Sequence, residues 1–548
     1  MAETQHLADA ALDMAARQRD ISVAEFFVKN RHLLGFDTPA KALVTAVREA
    51  VDNALDACEE AGILPEIRVQ VIDRRTRYQV VVEDNGPGIV ESQIGRIFGK
   101  LLYGSKFHKL SQSRGQQGMG ISAAGMYAQL TVAKPLHIIS RVDGDPLASE
   151  LYVSIDVAKN RPDIHRKTRL AWDRPHGTRV AMEMEGHYQQ GPHSIETYLK
   201  QTAIANPHVM IVYQDPAGAE VRFERSVSEL PRRPSEIQPH PHGVELGRLI
   251  QMLSDTRKRT LLQFLVHEFS CVGRKTALRI IAQAGGRLSE RSYPKHIARA
   301  QAVALHKAIQ HTRVQAPRTD CLVPIGADNL LKGLRKELAA EFFTATVRPA
   351  ATYRGNPFQV EAAIAYGHRG AGDIEIDAAG HMRKTAPERG EPLLGQNNEP
   401  VRLLRFANRV PLLYQQASCA ISKAVIQTNW HGYGVQQSKG ALPIAPMAII
   451  VHVASVWVPY TSESKEAIEP YPEILKEIKL ALQHCGRELA QHLHREQRLH
   501  QEYDRRSYIE TFLPHIGIAL QDILSLSDAE RDAAMKRLDD TLHKSRAA

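Results

Sequence analysis

The sequence predicts a multidomain α+β protein: an α/β sandwich, an all-helical insert, and a second α/β unit ending in a long helix. Three observations carry this. A chain of 548 residues with 43% hydrophobic and 24% charged residues is too long for one domain and is not disordered, collagenous or fibrous. Strand and helix patterns alternate over residues 1–221 and again from Pro317, whereas 243–313 reads as helices alone. Basic charge is concentrated in that helical block. Twelve Lys and Arg between Thr256 and Val314 face only Glu268 and Glu290, a net +10 in a chain whose total is +9. A block of this kind attracts a polyanion by releasing condensed counterions.

In chain order, Thr38-Pro39 is a strong helix start and Gly62 a stop, so AKALVTAVREAVDNALDACEEAG should form one long helix. EIRVQVID (66–73), YQVVVED (78–84), LHIISRV, SELYVSID and GTRVAMEME have strand character, and as near neighbours they predict a mixed, largely antiparallel sheet with helices on one face. Residues 222–242, rich in Pro, Arg and Ser, read as a linker. Beyond Pro317 come strands at FQVEAAIAYG and VRLLRFANR and a helix near Leu413–Thr428. The 16-residue apolar stretch Ala445 to Tyr460, broken by His452 and Ser455, is too short and polar to span a membrane and reads as a buried strand. A long helix then starts near Lys465 or just after Pro470 and runs to about Arg498, followed by a charged helical tail. The predicted domains are 1–228, 229–314, 315–500 and 501–548. MAETQHLADAALDMAARQRD has no basic-then-apolar leader, which predicts a cytoplasmic protein. The five scattered cysteines predict reduced core thiols.

On a helical wheel Glu49, Asp52, Asn53 and Asp56 share one arc of the first long helix, with Leu43, Val47, Val51 and Ala54 opposite. Alone, this is equally an amphipathic helix with a solvated acidic side. Two later motifs change the weighting. Asp84-Asn85-Gly86-Pro87-Gly88-Ile89 follows a strand; its carboxylate could accept from an exocyclic amine such as adenine's, and its glycines admit a planar ring. Gly115-Gln116-Gln117-Gly118-Met119-Gly120-Ile121-Ser122 enters a helix whose free amides favour phosphate.

ExxDNxxDA, DNGPGI and GQQGMGIS, in this order and spacing, resemble the motif boxes of the GHKL ATPase superfamily. Within it, ISVAEFFVKNRHLLGFDTPAKALVTAVREAVDNALDACEEAGILP, FGKLLYGSKFH, YRGNPFQVEAAIAYG and HVASVWVPYTSESKEAI resemble the ATPase subunits of type IIB DNA topoisomerases, over about Asp20 to Ile468. The resemblance implies a GHKL α/β sandwich, a helix-two-turn-helix insert, and an α/β transducer with a long C-terminal helix. It also implies ATP and Mg²⁺ as cofactors. The implied partners are double-stranded DNA, a second copy on ATP binding, and a separate DNA-cleaving A subunit in an A2B2 heterotetramer; no membrane is involved, and the location is nucleoid-associated. The segment before Asp20 would be an arm that crosses to the second copy.

Carried over by position, Glu49 matches the general base, Asn53 the magnesium ligand and Asp84 the adenine reader. Gly88 lies under the base, and Thr178 supports Asp84. Ser105 and Lys106 match lid residues, and Gly115, Gln116, Gln117, Gly118, Met119, Gly120, Ile121 and Ser122 the phosphate loop. Lys439, in Gln437-Ser438-Lys439-Gly440, resembles the lysine that reaches the γ-phosphate. Lys465, in TSESKEAI, ranks second because it sits at a plausible helix start. Arg274 and Lys275, at a helix start within SCVGRKTALRI, are first for DNA phosphates. Trp430-His431-Gly432-Tyr433 resembles a Trp-Lys-x-Tyr element used near DNA, with histidine in place of the lysine. Two rival readings are a nucleotide-binding scaffold without turnover and a different GHKL enzyme, such as a chaperone or histidine kinase.

Overall fold

The computed structural model describes residues 12–18, 21–104, 110–115, 118–367, 374–376, 382–384, 399–462 and 464–544. Its first long helix, Pro39–Ala61, begins where Thr38 Oγ1 accepts from Lys41 N and ends where Gly62 turns left-handed at φ +79°. The apolar side of this helix packs on an eight-stranded sheet, beside the helices Glu91–Gly99 and Gly120–Val132. The strands are β1 (Glu66–Asp73), β2 (Tyr78–Asp84), β3 (Leu136–Arg141), β4 (Ala148–Asp156), β5 (Arg161–Leu170), β6 (Gly177–Met184), β7 (Met210–Gln214) and β8 (Glu220–Phe223). They lie in the order β5-β4-β3-β6-β2-β1-β7-β8. Every pairing is antiparallel except β1 with β7. This is the sandwich expected.

Residues 224–240 contain neither helix nor strand, but backbone hydrogen bonds tie them down: Ser235 N donates to Asp320 O at 3.0 Å and Ile237 N to Leu110 O at 3.0 Å. The helices Leu246–Asp255, Leu261–His267, Arg274–Ala284 and Arg299–His311 then enclose their own apolar core around Leu249, Phe264, Ile280 and Leu305.

The third body is a six-stranded sheet centred on Asn356–Tyr366 and Met447–Ser455, which pair antiparallel. Met447–Ser455 is buried at all nine positions, as its continuous apolar run required. The helix Ala420–Gln427 and the long helix Pro472–Leu524 cover one face. The long helix starts just after Pro470, with Pro472 in its first turn, and runs 53 residues through Pro514. It therefore passes well beyond Arg498, and the boundary expected at 500/501 falls inside one continuous element. The helix Asp528–Lys544 folds back on it, with Met535 against Gly517. Among the described residues no helix is long and apolar enough to cross a membrane. Cys58, Cys321, Cys419 and Cys485 are buried, and Cys271 is half-buried.

A fully buried acid–base pair fastens this third body. Glu361 and His452 face each other across the two central strands. His452 Nε2 accepts from Arg409 N at 2.9 Å, so its proton sits on Nδ1, which donates to Glu361 Oε2 at 2.6 Å. The carboxylate also accepts from Ile325 N (2.8 Å) and Gly326 N (2.7 Å), the two residues just before the helix Ala327–Glu337. Burial would raise the Glu361 pKa, but His452 and the two amides outweigh it and hold it low. Glu361→Ala strips all three donors of their acceptor. It should cost about 3–5 kcal/mol, read as a lower urea midpoint for unfolding of the third body.

Candidate active site

A cavity of about 540 Å³ opens between the first long helix, the DNGPGI turn and the start of the helix Gly120–Val132. Asp84 sits at the end of β2, and its Oδ1 accepts from Gly86 N at 2.8 Å and Thr178 N at 3.1 Å. Those two bonds fix the carboxylate and leave Oδ2 to face the cavity. Burial pushes its pKa up to about 6, against the pull of the two amides. Thr178 Oγ1 bonds to Ser140 Oγ at 3.0 Å, and Ser140 Oγ accepts from Ile89 N at 2.8 Å, which ties the turn to β3 and β6. Gly88 has φ +76°, and a Cβ there would lie 2.0 Å from Arg141 O. No other residue fits that approach.

The acid arc divides in three directions. Glu49 and Asn53 line the cavity. Asp52 turns into the interior, where Tyr198 OH donates to Oδ1 at 3.3 Å, Oδ2 has no partner among the described residues, and burial pushes the pKa to about 6. Asp56 pairs with Arg114 Nη1 at 2.8 Å. Glu49 Oε1 accepts from Arg48 Nε (3.3 Å) and Nη2 (3.0 Å). Burial opposes ionisation of Glu49, but Lys465 and Arg48 outweigh it and keep the carboxyl below its usual range. A Cβ on Gly120 would sit 1.7 Å from Glu49 Oε2, so the glycine is what admits the Glu49 carboxylate to the helix terminus.

Gly115, Gly118, Met119, Gly120 and Ile121 line the cavity, with Gly118 left-handed at φ +59°. Gln116, Gln117, Ser105 and Lys106 lie outside the described residues. Ser122 departs from expectation. It is buried, lies outside the cavity wall, and donates to Ile97 O (3.0 Å) and Lys100 O (3.1 Å), joining two helices.

The two candidate lysines lie in different surroundings. Lys439 is exposed on a turn away from the cavity wall. Its neighbour Gln437 is used locally, donating to Ile426 O (3.0 Å) and Ala441 O (3.1 Å), so the loop satisfies itself. Lys465 lines the cavity instead, 4% exposed, with Nζ donating to Arg114 O at 2.9 Å. It precedes the long helix rather than starting it, and its left-handed backbone (φ +52°) turns the side chain into the pocket. Trp430 is fully buried, Tyr433 packs on Gly486, and exposed His431 bonds to Gln437 O at 2.7 Å. Arg274 and Lys275 are exposed at the uncapped start of their helix, and among the described residues none of the module's twelve basic side chains forms a salt bridge. Sequence reasoning missed Arg48, Arg114 and the apolar wall of Leu34, Phe36, Ile97 and Phe98. The two arginines each stand one residue before a motif, which is the signal that could have found them.

A fixed carboxylate, an acid helix and a glycine-rich helix start around one cavity define a GHKL-type ATPase domain. Residues 38–166 match the histidine kinase-, DNA gyrase B-, and HSP90-like ATPase family, and residues 317–505 match the topoisomerase VI B subunit transducer family. The B subunit of type 2 DNA topoisomerase 6 from Archaeoglobus fulgidus is 44% identical over 534 residues, covering 97% of this chain and 84% of that protein. Its counterpart in Methanococcoides burtonii is 45% identical over 520 residues, covering 94% and 79%. The chain belongs to the family of type 2 DNA topoisomerase 6 B subunits.

Adenosine, which carries no phosphate, isolates the Asp84 contact. If ionised Asp84 accepts its amine, protonation through a pKa of about 6 removes the acceptor, so affinity falls as pH falls. Calorimetry should show about a tenfold loss between pH 7 and pH 5.

Proposed function

We propose that this chain is the ATP-binding and ATP-hydrolysing subunit of a type IIB topoisomerase, in which ATP-driven dimerisation of a DNA gate is coupled to double-strand passage. One observation carries the reading: a single cavity holds a carboxylate from the ATPase domain, Glu49, and an ammonium from the transducer, Lys465. A nucleotide there would bridge the two bodies, and loss of its γ-phosphate would release one of them.

In this reading Glu49 Oε2 takes a proton from the attacking water, within reach of the cavity and held ionised by its neighbours. Asp84 accepts from the adenine amine with Gly88 beneath the ring, and the amides from Gly118 to Ile121 face the phosphates. Lys465, in place of Lys439, meets the γ-phosphate as a point charge. Ser105, Lys106, Gln116 and Gln117 keep the phosphate-side roles that the resemblance implies. Asn53 is exposed on the cavity wall beside Gly115 and offers one neutral hard oxygen. Among the described residues no group of three or more His, Cys, Asp or Glu could hold a metal, so this donor set fits a magnesium ion held largely by the nucleotide's own phosphates. When bound, that ion screens the phosphate charge.

The unpaired basic side chains of the helical module, Arg274 and Lys275 first, supply a face for DNA phosphates. DNA cleavage falls to a separate A subunit, in an A2B2 complex that relaxes supercoils and decatenates. The test is co-purification with a candidate A subunit, then ATP-dependent relaxation of supercoiled plasmid. Glu49→Ala should keep nucleotide binding and lose hydrolysis by on the order of a hundredfold or more. Lys465→Ala should abolish relaxation, whereas Lys439→Ala should leave it near wild type. Wild-type turnover by Glu49→Ala, or the reverse ranking of the lysines, would overturn these assignments.

A further inference from the structure

Arg48 precedes Glu49 and is slightly the more deeply placed, at 7% exposure against 9%. A guanidinium removed from water needs an acceptor for each edge, and the structure shows where the edges go. Nε and Nη2 both donate to Glu49 Oε1, at 3.3 and 3.0 Å. Nη1 leaves the domain altogether and donates to the backbone carbonyl of Ser464 at 3.0 Å. Ser464 is the residue before Lys465. One dipeptide of the transducer therefore sets its carbonyl on Arg48 and its ammonium in the cavity beside the same carboxylate.

Two features make this arrangement sensitive to the loop's position. The loop is held in an unfavourable backbone, with Lys465 at φ +52°, and such a conformation persists only while its surroundings fix it. A second clamp lies on the same helix, where Lys41 Nζ is 2.5 Å from Glu466 Oε1. The other charged or titratable groups near Arg48 are Asp52 and Tyr198 of the ATPase domain and Tyr414 and Tyr460 of the transducer. Among the described residues neither tyrosine of the transducer hydrogen-bonds to Arg48, so the Ser464 carbonyl is its direct tie to that domain.

Given Glu49 as the base, we propose that Arg48 is a positioning residue that makes the orientation of the Glu49 carboxylate depend on where the transducer's 464–466 loop sits. With the loop seated, Arg48 is held at three points and retains Oε1, which leaves Oε2 turned to the cavity. With the loop withdrawn, the guanidinium loses its carbonyl, and the carboxylate loses its fixed orientation. The planar fork is essential, because an ammonium cannot span both acceptors in one geometry.

The test uses the full chain, with steady-state ATP hydrolysis and binding of an unhydrolysable ATP analogue. Arg48→Lys should lower kcat at least about tenfold while KM and analogue affinity stay within about threefold. Arg48→Gln should do the same and also move the acid limb of the kcat profile to higher pH, because the carboxylate has lost its positive neighbour. Lys41→Met loosens the loop from outside the cavity, and its effect on kcat should vanish in the Arg48→Lys background. Wild-type kcat in Arg48→Lys, or additive effects of Lys41→Met and Arg48→Lys, overturns the proposal, and Arg48→Lys decides if Arg48→Gln does not fold. Glu49→Ala separates the two readings. If it hydrolyses ATP normally, the base is misassigned; if it is inactive while Arg48→Lys is normal, only the positioning role fails.

Discussion

The structure depends on a small polar junction where the transducer's 464–466 loop rests on the first long helix. Lys41 meets Glu466, Arg48 meets the Ser464 carbonyl, and Lys465 meets the Arg114 carbonyl. All three loop residues are buried, and charges are tolerated there only where an opposite charge or an acceptor replaces water. Glu466 is the least comfortable of them. Lys41 is close, yet among the described residues neither carboxylate oxygen has an aligned donor. A junction satisfied in this way is specific about position and modest in strength.

Behind that junction a polar path crosses from one domain to the next. Arg114 closes on Asp56, Glu59 and Asn206; Asn206 Nδ2 donates to Arg409 O at 3.2 Å; and Arg409 N donates to His452. His452 in turn holds Glu361, which fixes the chain just ahead of Ala327–Glu337. That helix packs on Ile195–Ala205, where a Cβ on Gly333 would stand 2.7 Å from Ile204 O. The ATPase and transducer domains thus share buried hydrogen bonds as well as an apolar contact, and the same few residues serve both.

Much of this is legible in the sequence because it rests on local signals. Thr38, Pro39 and Gly62 delimit a helix by capping chemistry alone, and three motifs at fixed spacing return to one cavity. What stays hidden depends on who meets whom in three dimensions. Asp52 and Asp56 share Glu49's arc on a wheel, yet one is claimed by Tyr198 and the other by Arg114. The Gln-Ser-Lys-Gly loop matches the expected motif, but Gln437 spends its amide on its own turn. Lys465 ranks below Lys439 on sequence because TSESKEAI reads as a helix start, where the chain in fact makes a left-handed turn. Strand β5, RPDIHRKTRL, has no apolar alternation because it is a mostly exposed sheet edge, and it could be placed only by its pairing with β4.

The long helix gives the junction its reach. At 1.5 Å per residue, 53 residues extend about 80 Å, of which about 45 Å lies beyond Leu493, where packing on the transducer core ends. A rigid boom of that length multiplies whatever happens at its foot: a swing of roughly 10° about Leu493 would carry the far end about 8 Å sideways. A small rotation at the foot is thereby delivered, at the far end, on the scale of a side chain's full length.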